Sequence, residues 1–223
     1  MKRSEINMIL QAAGAFFRRH HVALPAFARQ SPADLRASDW TEIKARGLGW
    51  DVTDYGMGNF AGLGLVLVTL RNGSGTRDDG MVYAEKLMML RRDQICPMHC
   101  HQRKTEDIIN RAGGTLVVEL FASDTAGRRD AGAPVRVMCD GILRELPAGG
   151  RLKLKPGESV TLRPGDWHAF WAEGSDCLLG EVSSVNDDVS DNRFDPDLPR
   201  FATVEEDAPP WRLLVSDYDR ALP

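Results

Sequence analysis

Between residues 49 and 182 the chain runs as a series of short apolar, β-branched segments, each cut off by Gly, Pro, Asn or Asp. Residues 63–70 form the first clear one, ended by Asn72-Gly73 and Gly75; residues 81–90 follow, and then a strand carrying the run CPMHCH. Residues 115–121 continue the series up to a polar loop at 123–133. Val135–Cys139 and Ile142–Leu146 flank Asp140-Gly141, a pair that accepts the left-handed backbone of a two-residue hairpin turn. Residues 151–154, 159–162, 168–172 and 177–182 complete the series. β-Branched side chains fit a pleated, half-buried surface. Short strands with turn signals every roughly eight to twelve residues specify an all-β sandwich or barrel.

A different texture precedes the strands. Ile6, Ile9, Leu10, Ala13, Phe16 and Phe17 recur at three- and four-residue spacing, one apolar stripe of a helix, with Ser4 as its expected N-cap. Ser31-Pro32-Ala33-Asp34 is a second helix start, with Pro at the first helical position and an acid in the first turn. A short helix over 38–46 stops at Gly47. The expected organisation is a helical extension over residues 1–50 and a β-domain over 51–223 that ends in an ordered tail of little regular structure. Phe16, Phe17, Leu24 and Phe27 of the extension are expected to be bare unless another surface covers them.

The chemistry is concentrated in CPMHCHQRKTEDIINRAG. His99 and His101 are two residues apart, so on a strand both imidazoles face one side. Glu106 follows after enough chain for a turn to bring its carboxylate back. PGDWH supplies a tight turn and then His168, which opens a strand with Phe170 and Ala172 on its own face. The chain has five histidines, and the other two, His20 and His21, belong to the helical extension. Three imidazoles and one carboxylate brought together suit Mn²⁺, Fe²⁺ or Zn²⁺ with coordination positions left open.

Composition narrows the classes. Hydrophobic content of 43% and charged content of 27% are ordinary for a globular protein. A net charge of −4 leaves no basic footprint for nucleic acid, and no apolar run reaches the length of a membrane span. Four cysteines without a CxxC pair, and an amino terminus interrupted by Glu5, Asn7 and Gln11, lead us to expect a cytoplasmic protein with reduced thiols and no leader.

His99-x-His101, Glu106 and Gly113 resemble the first motif of the cupins, and Gly157 through Gly165 to His168 resembles the second. Asp93 stands where that pattern has its opening glycine, Pro164 directly precedes Gly165, and Ala172 replaces the usual asparagine; none of these is a ligand position. The phrases AEKLMML, PMHCHQRKTEDIINRAGG, PGDWHAFW and VNDDVSDNRF, with the helical extension, resemble the D-lyxose isomerase family. That resemblance implies a double-stranded β-helix (a jelly-roll barrel), a homodimer and Mn²⁺ as preferred metal, with Zn²⁺, Fe²⁺ or Co²⁺ as substitutes. The activity it implies is isomerisation of D-lyxose to D-xylulose, often with D-mannose to D-fructose.

Moving a proton between C1 and C2 of a sugar needs a base and a stabiliser of the developing enediolate. Lys104, between His101 and Glu106, is the candidate to hold O1 or O2, and Glu181 in an apolar stretch is the candidate base, its pKa expected to be raised by burial. Lys86 reaches the same cavity if it faces inward, which the even apolar pattern around it leaves open. Asp187, Asp188, Asp191 and Arg193 are expected either at the rim against sugar hydroxyls or capping the turn, and Glu205 and Glu206 are more remote acids. An Fe²⁺ cupin dioxygenase or a non-catalytic sugar-binding cupin would use the same ligands. The first would favour an apolar pocket, and the second would be accompanied by a DNA-binding segment if regulatory.

Overall fold

A computed structural model describes residues 1–74 and 80–222; the expected turn at Gly75 lies outside them. The helical part comprises α1 (Arg3–Arg19), α2 (Ala26–Arg29), α3 (Pro32–Arg36) and α4 (Thr41–Ala45). Then come β1 (Gly49–Thr53), β2 (Leu65–Asn72), β3 (Tyr83–Leu90), β4 (Ile95–His101), β5 (Glu106–Ser123) and β6 (Arg129–Asp130). They continue as β7 (Val135–Cys139), β8 (Ile142–Leu146), β9 (Gly150–Leu154), β10 (Ser159–Leu162), β11 (Trp167–Ser184) and β12 (Asn192–Phe194). A 3₁₀ turn at Val215–Asp217 and α5 (Tyr218–Ala221) lie near the carboxyl end.

The ladders between these strands are antiparallel and build a double-stranded β-helix. One sheet runs β1-β2-β3-β11-β5-β10-β7-β8. The facing sheet is formed by β12, β4, β11, β5 and β9. Two strands of 18 residues, β5 and β11, belong to both, crossing from one sheet to the other where the register between them shifts at Glu173/Cys177. The sequence pattern reads β11 as two strands, 168–172 and 177–182, because the crossing interrupts its apolar run with EGSD. Likewise β5 starts at Glu106, ahead of the expected residue 115, since its polar first half pairs with β10 and β11. Gly113 makes the crossing possible: its φ is +97°, and a Cβ there would lie 2.0 Å from the Asp176 carbonyl oxygen.

Between the sheets lies the main core, including Leu67, Met88, Leu90, Ile108, Leu116, Val118, Leu162, Phe170 and Leu179. A second core lies outside the first sheet, where Ile6, Ile9, Leu10, Ala13 and Phe17 of α1 pack on Trp50, Val66, Val68, Leu87 and Met89. Phe17 stacks on Trp50 at 6.0 Å, and the Trp50 indole N–H donates to the Ala28 carbonyl at 2.7 Å. Phe16 and Phe17 are therefore buried by the chain's own sheet, contrary to the expectation that another surface would have to cover them. Leu24 and Phe27 are half-buried against the same core. Ser4 is not the N-cap either; Lys2 holds that position, so α1 begins two residues earlier than expected, and the Ser4 amide and hydroxyl donate to Asp207 at 2.8 and 2.7 Å. At α3 the expected cap is present, with Ser31 and Asp34 forming a reciprocal capping box.

The carboxyl-terminal segment clasps the amino terminus. Arg3 is fully buried and forks onto Asp217 (2.7 and 3.0 Å) and Glu206 (2.8 and 2.9 Å). The backbone of Glu205 pairs with Met1 and Arg3, so neither Glu205 nor Glu206 lies over the barrel mouth as the sequence left open. No helix among the described residues is long and apolar enough to cross a membrane.

Replacing Arg3 by Met leaves buried Asp217 with only the exposed Arg220, 3.3 Å away, as counter-charge and is expected to lower stability by about 3 kcal/mol, measured by urea unfolding. The hydrogen bond from Arg3 holds the Glu206 carboxyl at about 2, below its ordinary 4.5. A depressed folded value stabilises above the unfolded value and is lost as pH falls through the folded one. Part of the gap between wild type and Arg3→Met should thus close between about pH 4.5 and 2. A gap constant over that window would count against a Glu206 contribution.

Candidate metal centre and catalytic cavity

β4, β5 and β11 meet at one end of the barrel, and their pairing sets the histidines. His168 stands opposite His99 across the β4–β11 ladder. His101 is two residues along the same face of β4, and Glu106 opens β5 after the turn 102–105. The four side chains are buried, and one ligand atom from each lies within 4.8 Å of the others. Glu106 Oε1 is 3.1 Å from His101 Nε2 and 3.2 Å from His168 Nε2.

Ring orientation is set from behind. His99 Nδ1–H donates to the Pro97 carbonyl at 2.8 Å and His168 Nδ1–H to the Asp166 carbonyl at 3.0 Å. A neutral imidazole that donates from Nδ1 presents its lone pair at Nε2. Burial, then the neighbouring imidazoles of His168 and His101, hold His99 well below the usual histidine range. Burial likewise lowers His101, against the pull of Glu106. Glu106 is held well below the carboxylate range because His101 and Lys104 outweigh the burial that opposes ionisation. The His168 Nε2 atom is buried without a hydrogen-bond partner among the described residues. Two imidazoles held toward their neutral form, a third with its Nε2 unpaired, and one carboxylate fit a divalent cation of the Mn²⁺, Fe²⁺ or Zn²⁺ kind.

Beside this cluster opens a cavity with an empty volume of about 400 Å³, counting the part continuous with solvent. Its floor is apolar, with Leu65, Leu67, Met88, Ile108 and Phe170. Its other wall is a chain of alternating charge. The Lys104 ammonium sits 2.7 Å from Glu106 Oε2 and 2.8 Å from Glu181 Oε1. Lys86 lies 3.4 Å from Glu181 and 3.5 Å from Asp188, and Arg200 lies 3.4 Å from Asp188 and 2.6 Å from Asp51.

Lys86, which the sequence left undecided, faces inward. With Met88 and Leu90 it shares the core face of β3, whereas Leu87 and Met89 lie under α1. The Glu181 carboxyl is not raised by its burial as expected. Burial pushes it up, but Lys104 and then Lys86 outweigh that and hold it below its ordinary value. Lys104 is held above the ordinary lysine value because Glu106 and Glu181 outweigh its desolvation. Asp188 lines the cavity and is lowered by Arg200, Lys86 and Lys104 against its burial.

Three expected rim residues stand elsewhere. Asp191 turns its carboxylate onto the backbone of the ligand loop, accepting from the Arg103 N–H at 2.8 Å and the Lys104 N–H at 3.1 Å. Arg193 donates to the Gly127 carbonyl at 2.9 Å and lies over the Trp167 ring, outside the cavity lining. Asp187 binds Arg103 and Ser190 at the surface. The sequence reading missed Arg200, Tyr55, Asp51 and Asn186. Arg200 follows Pro199 in an aperiodic tail, and only the extended backbone that proline favours hints at it. Tyr55 Oη is 3.2 Å from Cys96 Sγ, whose thiol burial pushes up to about 12, so it is a neutral wall and not a nucleophile.

A family profile described as D-lyxose isomerase matches residues 1–218. The chain is 50% identical over 228 residues to a D-lyxose/D-mannose isomerase of Serratia proteamaculans, covering 99% of each. It is 48% identical over 227 residues to one of Escherichia coli O157:H7, covering 98% of each. Among solved structures, an L-ribose isomerase of Cellulomonas parahominis with L-ribose superposes with a TM-score of 0.59 at 20% identity, over 92% of this chain and 98% of that one. At that identity the likeness speaks for the fold.

Lys104→Met would leave Glu106 and Glu181 facing each other without the cation between them. Two such carboxylates cannot both stay ionised at little cost. The metal-free variant should hold one proton on the pair at neutral pH, seen as a protonated-carboxyl band in difference infrared spectra. It should also lose about 3–5 kcal/mol of stability. Two fully ionised carboxylates in a variant of wild-type stability would show that Lys104 is not their counter-charge.

Proposed function

This chain belongs to the D-lyxose isomerase family and is a sugar aldose–ketose isomerase, and we propose that it converts D-lyxose to D-xylulose and D-mannose to D-fructose, using Mn²⁺ held by His99, His101, Glu106 and His168. The observation that carries the catalytic part is the Lys104 ammonium shared between Glu106 and Glu181 beside the three imidazoles. When bound, the cation supplies Lewis-acid polarisation of adjacent sugar oxygens.

The remaining work falls to side chains. In the open-chain aldose, Glu181 takes the C2 proton; the C2–H electrons form the C1=C2 bond as the carbonyl π pair moves onto O1. Glu181 then returns the proton to C1, while the O2 hydroxyl proton passes to O1, which yields the ketose. Lys104 donates N–H hydrogen bonds to O1 or O2, where negative charge develops, from a water-poor position where such donors act most strongly. Its pairing keeps it protonated, and that of Glu181 keeps the base form present at neutral pH. Lys86, Asp188 and Arg200 are placed along the wall to meet the hydroxyls farther down the chain. The apolar floor suits the C–H face of the same sugar.

A homodimer rests now on the family resemblance, since α1 covers its own aromatic rings. Light scattering is expected to give twice 24.7 kDa; monomer alone at micromolar concentration would overturn it. A reducing, cytoplasmic setting accords with four free, buried cysteines.

Glu181→Gln should keep its Mn²⁺ and lose turnover by a factor of about 10² to 10⁴, whereas His101→Ala should lose metal and activity together. Metal content measured beside the rate on D-lyxose separates the two. Ketose formed in D₂O should carry deuterium at C1 to the extent that the proton held on Glu181 exchanges with solvent before its return. A product without deuterium, from an enzyme whose Glu181→Gln variant is fully active, sinks the proton-transfer reading.

A further inference from the structure

The three imidazoles are not supported alike. His99 and His168 each place Nδ1–H on the carbonyl two residues earlier, Pro97 and Asp166. His101 Nδ1 is buried and makes no hydrogen bond among the described residues. Its one carboxylate neighbour there within ion-pair range is Asp191, whose Oδ2 stands 3.7 Å away. Asp191 is only 3% exposed, and its position is fixed from several sides. Oδ1 accepts from the Arg103 N–H and Oδ2 from the Lys104 N–H, while its own carbonyl accepts from the Gln102 N–H at 3.1 Å. The β4–β12 ladder, with Asn192 opposite His101, holds the neighbouring residue in register. A carboxylate oxygen has two lone pairs, and the Lys104 amide uses one of those on Oδ2.

We propose that Asp191 is a positioning residue: its Oδ2 accepts the His101 Nδ1–H, which fixes that ring with its Nε2 lone pair toward Glu106, and the same carboxylate ties the ring to the loop that presents Lys104. The present separation exceeds a hydrogen bond, so the contact requires the ring to turn toward Oδ2. A buried Nδ1–H requires an acceptor, none other than Asp191 is in reach among the described residues, and leaving the donor unmatched would be costly. Carboxylate acceptors behind a ligating histidine raise its basicity and set its tautomer. This inference rests on the proposal that the cluster holds a divalent cation.

Asp191→Asn keeps the shape while weakening the acceptor. Its Mn²⁺ dissociation constant, read from the electron paramagnetic resonance signal of free Mn²⁺, should rise by about ten- to a hundredfold. Asp187→Asn is the control: it loosens the same surface loop through Arg103 and Ser190 without touching His101, and its Mn²⁺ affinity should match wild type. In wild-type protein loaded with Zn²⁺, ¹⁵N-imidazole NMR should show His101 protonated at Nδ1 with slow exchange. That measurement decides the matter even if Asp191→Asn does not fold. An unchanged affinity in Asp191→Asn, an equal loss in Asp187→Asn, or a His101 protonated at Nε2 would each overturn the role of Asp191. Wild type that binds neither Mn²⁺ nor Zn²⁺ would overturn the metal centre instead.

Discussion

The Lys104 ammonium, buried between Glu106 and Glu181, governs the electrostatics of the cavity. From it the ion pairs run outward through Lys86, Asp188, Arg200 and Asp51 in alternating sign. Four carboxylates face three cations along this line, which leaves one negative charge before any metal is counted. A divalent cation at the histidines turns that deficit into a single positive charge, a sign suited to an enediolate. Ionised groups so deeply desolvated are tolerable only in such close alternation. Each pairing therefore also sets the protonation state that the chemistry needs.

The barrel makes this arrangement possible by sharing β5 and β11 between its sheets. The first halves of β5 and β11 carry Glu106 and His168, and the second half of β11 carries Glu181. Because both strands cross at Gly113 and Glu173–Cys177, His168 and Glu181, thirteen residues apart on one strand, return to the same end of the molecule. A crossing displaced by one residue would turn every side chain beyond it to the opposite face. The close approach at Gly113 thus bears on ligand geometry as well as on packing.

The local signals in the sequence were enough to single out the three histidines and Glu106 that the fold clusters. Two-residue spacing places His99 and His101 on one face, a Pro-Gly turn delivers His168 into a strand, and the β4–β11 ladder brings the imidazoles together. Periodicity fails where both faces of a strand are buried. On β3, Met88 and Leu90 enter the barrel core and Leu87 and Met89 meet α1, so an alternation of apolar with apolar hides the direction of Lys86. The same covering explains Phe16 and Phe17, whose partner proved to be the chain's own sheet. Glu181 was placed correctly in an apolar stretch, yet the sign of its shift depends on two lysines, 77 and 95 residues away in sequence. Arg200 and Asp191 come from segments with no period, where only tertiary contacts decide whether a charge faces the cavity or a loop.

If Glu181 is the base, as proposed, turnover must break the contact that defines the resting site. Glu181 reaches a C–H bond of the sugar only if it gives up some of its hold on Lys104, and a bare carboxylate freed in this cavity would be strongly desolvated. The substrate resolves the conflict by substitution. A sugar oxygen can accept the hydrogen bond that Glu181 releases, so the ammonium remains matched while the carboxylate loses part of the attraction that depresses its pKa. A weakly paired buried carboxylate is a stronger base than one held between two ammonium groups. Substrate entry would thus raise the basicity of Glu181 at the moment a C2 proton comes within reach, and Lys86 would retain enough contact, at 3.4 Å, to keep it oriented. On that proposal the resting ion pairs would be a protected form of the catalyst, and the sugar itself would be the group that releases it.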